Sequence, residues 1–73
     1  SRGDLDSAIF ECTRALEVNP EYLRAYFWRA TYYFMDGRYR ESLADFQRLE
    51  AEGVDSPYYD IATEYIATLR ELI

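Results

Sequence analysis

YLRAYFWRATYYFM, residues 22–35, decides how the rest of the chain is read. The stretch holds no Gly or Pro and lies between Asn19-Pro20 and Asp36-Gly37. Pro just ahead of a helix and Gly just past it are the usual punctuation. The spacing therefore predicts a helix of about four turns. At about 100° per residue, Tyr26, Ala30 and Tyr33 share a face with Tyr22 and Leu23. Phe27 and Phe34 lie beside them, Trp28 and Met35 further round, and only Ala25, Arg29 and Tyr32 are left for water. A helix apolar over most of its circumference has to be covered on more than one side. This one is expected in the middle of a stack.

Outward from it, the pattern repeats. Asp4 reads as an N-cap, and Leu5 to Val18 carries apolar residues at 5, 8, 9, 12, 15 and 16, which is helical spacing. Tyr39 to Ala51 carries Tyr39, Leu43, Phe46 and Leu49, with Gly53 as the left-handed residue that closes it. Ser56 caps a last helix that has Pro57 in its first turn and runs to about Leu72. Four helices joined by short loops make an all-α chain of antiparallel neighbours.

The chain has 73 residues, a size at which one core only just suffices. Its hydrophobic content of 49% is too rich for a disordered chain. The net charge of −6 argues against nucleic acid and against an anionic membrane surface. No apolar run approaches a membrane span, and no signal-peptide pattern opens the chain, so no membrane insertion and a cytoplasmic location are expected. All eight basic residues are Arg, and a single Cys excludes an internal disulfide.

The first and third helices are one element written twice. At an offset of 34, Ala8-Ile9 aligns with Ser42-Leu43, Cys12 with Phe46, Arg14 with Arg48 and Ala15 with Leu49. The second and fourth helices match at an offset of 32, pairing Tyr26 with Tyr58, Phe27 with Tyr59, Ala30 with Ala62 and Tyr33 with Tyr65. A helix-turn-helix unit repeating at this period resembles the tetratricopeptide repeat. That family places an aromatic, Leu-Gly and Tyr on its first helix, then Ala, an aromatic and a closing Pro around the second. Here the first helix supplies Tyr26, Arg29-Ala30 and Tyr33, and the second supplies Ser42, Phe46 and Leu49. Arg29 departs from Leu, Ser42 from Ala, and Val54 or its neighbours from Pro. The resemblance implies a short right-handed α-solenoid. Residues 1–20 would be the second helix of a truncated repeat, 21–53 a complete repeat and 54–73 a first-helix-like or capping helix. Because about three repeats are usually needed for stability, a piece of a longer protein is expected. The competing reading is a small protein that borrows its missing helix from a partner.

Catalysis finds no footing in the residues. The chain has no His, no Gly-rich phosphate loop and no metal-ligand cluster, so no enzyme activity, cofactor or metal is expected. Asp4 with Asp6, and Glu50 with Glu52, are carboxylate pairs better explained by capping and solvation. Cys12 falls where the family puts a packed aromatic, which favours a buried thiol over a nucleophile. Arg2-Gly3-Asp4 spells an adhesion tripeptide, but a turn Gly before an N-cap accounts for it.

What the resemblance implies is a non-catalytic adaptor or scaffold binding a protein or peptide. The positions that correspond to the family's concave surface are Arg24, Phe27, Trp28, Thr31 and Met35 on the central helix. On the last helix they are Tyr59, Asp60, Thr63 and Ile66. An aromatic surface with an isolated Arg suits an amphipathic helix or apolar peptide. The family's carboxylate clamp does not fit, since Trp28 stands where it uses Asn and the chain has no Lys. Packing against a preceding helix is the competing role for Phe27, Phe34 and Trp28. The alternative function is self-assembly into homo-oligomers, the last helix of one copy completing the truncated repeat of another. The single apolar face of the last helix also suits a terminal cap.

Overall fold

The computed structural model describes residues 2–73, with side chains from Gly3 onward. It contains α1 (Arg2–Val18), α2 (Leu23–Met35), α3 (Tyr39–Glu50) and α4 (Tyr59–Leu72). Among the described residues there is no strand. Backbones come close only between helices that follow one another in the chain, while the aromatic side chains of α2 also reach α4, Phe34 meeting Tyr65 with ring centroids 5.3 Å apart. The resulting slab measures 33 × 30 × 14 Å along the Cα trace.

The connections show why the helices stop where they do. After α1, Asn19 folds the chain back: its side-chain oxygen accepts from the Glu21 N–H and its carbonyl from the Tyr22 N–H. At the end of α2, Gly37 adopts φ +76°, a conformation cheap only for glycine. Its N–H then donates to the Phe34 carbonyl and the Arg38 N–H to that of Tyr33, a Schellman closure. Gly53 is likewise left-handed, as the sequence predicts.

Helix starts differ from expectation at two places. Asp4 lies inside the first turn of α1 and does not cap it, so Gly3 is helical and is not a turn residue. The adhesion tripeptide includes Arg2, whose side chain lies outside the described residues. At α4, Pro57 occupies the turn before the helix. Ser56 accepts the Tyr58 N–H on its hydroxyl, 3.2 Å away, ahead of the first helical residue.

One core lies between α2, α3 and α4, built on Ala30, Phe46, Leu49, Ala62, Ile66 and Leu69. Phe46 is its centre, stacked on Tyr65 with ring centroids 4.4 Å apart and edge-on to Phe27 at 6.4 Å. The α1–α2 contact is a separate, smaller junction resting on Ile9, Leu16 and Ala25. Ala30 and Ser42 meet in the buried contact between α2 and α3. With no side chain beyond Cβ on Ala30, the Ser42 hydroxyl reaches the Ala30 carbonyl and donates to it over 2.8 Å. A serine in place of the family's alanine is therefore satisfied although fully buried.

Two residues assigned to water turn inward. Ala25 is buried against α1. Arg29 makes a two-pronged ion pair with Asp45 of α3, Nε to Oδ2 at 2.7 Å and Nη2 to Oδ1 at 2.8 Å. Its remaining Nη1 donates to Thr13 Oγ1 of α1 at 3.2 Å, so one guanidinium ties three helices together. The Asp45 hydrogen bond raises the Arg29 pKa further above its ordinary value, against a smaller opposing effect of burial. The guanidinium also lies 5.8 Å from the rings of Tyr26 and Tyr33, while Arg48 and Arg38 approach the same two rings at 5.3 and 4.7 Å. A planar, weakly hydrated guanidinium suits such stacking better than an ammonium, which gives the all-Arg composition a structural use.

Candidate functional site

Along α2, Arg24, Trp28, Thr31 and Met35 follow one another at helical spacing and form one stripe. Trp28 is 45% exposed and Met35 63%, large values for such side chains. Trp28 is held in place. It stacks on Tyr32 at 6.1 Å and meets the edge of Phe27 at 5.6 Å. Such support lets an exposed indole bind without first losing much conformational freedom. Arg24 is exposed, and among the described residues it has no ion-pair partner.

The stripe borders a groove of about 250 Å³ between α1 and α2. Glu11, Cys12 and Ala15 line one wall, and Tyr22, Arg24, Ala25 and Trp28 the other. One acidic and one basic side chain thus face it from opposite helices. The internal repeat explains why it is open. Cys12 and Ala15 stand where α3 has Phe46 and Leu49, so two small residues replace two large ones. Burial pushes the Cys12 thiol up from its ordinary pKa, and Arg29 offsets only part of that. A protonated, half-buried thiol is a wall of the groove rather than a nucleophile.

Of the candidate site residues, the structure brings Arg24 and Trp28 together around the groove. Thr31 is half-buried, its hydroxyl donating to the Phe27 carbonyl. Met35 is exposed further along the stripe. Tyr59 and Thr63 are half-buried on α4, and the Thr63 hydroxyl donates to the Asp60 carbonyl. Ile66 is in the core.

Phe27 is half-buried. It packs inward on Phe46 and on Tyr58, whose ring is 5.5 Å away, and so supports Trp28 from below. Phe34 does the same with Tyr39 and Tyr65. Both rings pack forward onto α3 and α4, not backward onto a preceding helix, because those helices carry the large rings that complete the core. Tyr22, expected on the face of Tyr26 and Ala30, is 42% exposed and lines the groove. Of the carboxylates considered as a catalytic pair, Glu52 accepts a hydrogen bond from Arg48 at 2.6 Å.

The profile of the tetratricopeptide repeat matches residues 11–44, which spans the second half of α1, all of α2 and the first half of α3. The match covers 34 of the 73 residues and is consistent with a tetratricopeptide-repeat assignment. Searches of curated proteins and of solved structures give no match to the chain. Tetratricopeptide repeats generally serve protein–protein interaction rather than catalysis. Of the repeat positions, Ala30, Ser42 and Phe46 are fully buried, Tyr26 packs against the core and Tyr33 is half-buried. Among the described residues no helix is long and apolar enough to cross a membrane.

Proposed function

We propose that the chain is an adaptor that binds an apolar or amphipathic segment of a partner protein on the α2 stripe, with Trp28 as its anchor. The observation that supports this reading is the exposed, ring-buttressed indole of Trp28 beside Arg24, which has no ion-pair partner among the described residues. Aromatic and Arg side chains are enriched among residues that dominate interface energies. Phe27 and Tyr32 fix the indole, Met35 extends the apolar surface, and Arg24 sets the polarity of what lies across it. Tyr59 and Thr63 on α4 are the further residues we assign to the partner. No step of the reading requires a cofactor.

The test is selection from a library of displayed helical peptides, with binding followed by the fluorescence of Trp28, the only tryptophan of the chain. Trp28→Ala is expected to weaken selected peptides by about 2 kcal/mol while leaving helical circular dichroism unchanged. Selected peptides that bind Trp28→Ala as tightly as the parent chain would sink the assignment of Trp28 as anchor.

A further inference from the structure

The groove between α1 and α2 has a template for its occupant inside the same molecule. α1 is the offset copy of α3, and α3 is covered by α2. The contacts that α2 makes on α3 therefore indicate what an incoming helix must bring to α1. On α3, Phe46 is met by Phe27 and Asp45 by Arg29. The matching positions on α1 are Cys12 and Glu11, one sequence offset away. Cys12 is smaller than Phe46 by most of a ring, so the position over it must be filled by a bulky aromatic. Glu11 is exposed, and among the described residues it has no ion-pair partner. It offers an incoming Arg the charge that Asp45 offers Arg29.

We propose that the α1–α2 groove seats an amphipathic helix of a partner protein carrying an aromatic residue and, two positions later, an arginine followed by a small residue. This is the pattern of Phe27-Trp28-Arg29-Ala30, and the inference rests on the adaptor reading above. The aromatic fills the space over Cys12 and Ala15 against the flank of Trp28. The arginine pairs with Glu11. The small residue lets the two helix backbones approach, as Ala30 does for α3. Arg24 on the opposite wall gives the groove a fixed charge direction, which selects one orientation of the incoming helix. The α4 helix of a second copy meets these demands less well. Its residue in the place of Arg29 is Ile61, which would set an apolar side chain against Glu11, and its Ala62 and Ile66 are already buried in its own core.

The probe is an alanine-rich helical peptide bearing Phe-Xaa-Arg-Ala, titrated into the full chain and followed by Trp28 fluorescence and by the amide shifts of residues 8–15. Changing the peptide arginine to Glu is expected to weaken binding about tenfold, and Glu11→Arg in the chain to do the same with the parent peptide. Combining the two changes restores most of the affinity. Glu11 is on the surface, so its replacement leaves the fold intact. Charge reversal without effect, or without rescue, overturns the proposal. If this peptide fails while library peptides still bind at Trp28, the occupant is wrong and the adaptor reading survives. If neither binds, both are wrong. Association of the chain with itself that Glu11→Arg abolishes would replace the partner helix by a second copy.

Discussion

Arg29 holds Asp45 across the α2–α3 contact with two nearly parallel hydrogen bonds of 2.7 and 2.8 Å, in a place where the carboxylate side chain retains 7% of its exposure. An arginine at a position the family gives to leucine thus serves the same end by other means. Its stem and planar head lie between Tyr26 and Tyr33, and its charge is met in full by an acid inside the apolar stripe of α3.

Removing one partner should cost more than removing both. Asp45→Ala leaves the Arg29 charge in a mostly closed interface, and the expected loss in urea unfolding is about 3 kcal/mol. The double change Arg29→Leu with Asp45→Ala should recover most of that loss, because an apolar pair of similar reach needs no counter-charge. A double variant as weak as the sum of the two singles would mean that the pair is not coupled.

Ala30 and Ser42 define a contact with opposite tolerances on its two sides. Ala30→Leu forces α2 and α3 apart and should destabilise by about 2–3 kcal/mol. Ser42→Ala loses only a hydrogen bond to a carbonyl that also belongs to its own helix, for about 1 kcal/mol. Chemical denaturation of the two variants side by side checks the order.

Gly37 has open space around the position of a Cβ but holds φ +76°. Gly37→Ala is therefore expected to cost about 1–2 kcal/mol through backbone strain alone, with Gly37→Asn closer to neutral. Equal losses for the two would point to a steric cause instead.

The raised pKa of Cys12 has a kinetic signature. Only the thiolate is alkylated, so labelling by iodoacetamide at neutral pH should be slower than for a free cysteine. It should then rise about tenfold per pH unit through pH 9, since the folded group titrates above its ordinary value of 9.0. Because the folded state keeps this proton longer than the unfolded chain, stability gained from it at lower pH declines as pH rises past the unfolded pKa. A labelling rate that levels off below pH 8 would contradict the burial of the thiol.

Periodicity made the four helices and their repeat legible because each helix carries its apolar residues at the spacing its neighbours require. The misplacement of Arg29 has an equally physical origin. A charged residue on an apolar helix is assigned to water unless its counter-charge is identified, and Asp45 lies sixteen residues away on another helix. The clue was present in α3, where Asp45 interrupts the stripe of Ser42, Phe46 and Leu49, a position an acid holds only with a partner. Position along the helix alone puts Phe27 on the binding surface, while its neighbours Phe46 and Tyr58 draw its ring inward. The groove was readable only as a difference between copies, Cys12 for Phe46 and Ala15 for Leu49. Its Tyr22 wall depends on the turn after Asn19, which no periodicity reports.

Among the described residues the backbone of α1 comes close only to that of α2, and through a smaller junction than the core uniting the other three helices, so the structure has an order of opening. The amides of α1 should exchange with solvent in a lower-energy event than those of α3, because fewer buried apolar contacts hold them. One wall of the groove is therefore the least anchored helix, with Trp28 on the firmer wall opposite. A ligand seated between them would act as a clasp, and its arrival would be read most clearly as slowed exchange along Ile9 to Leu16.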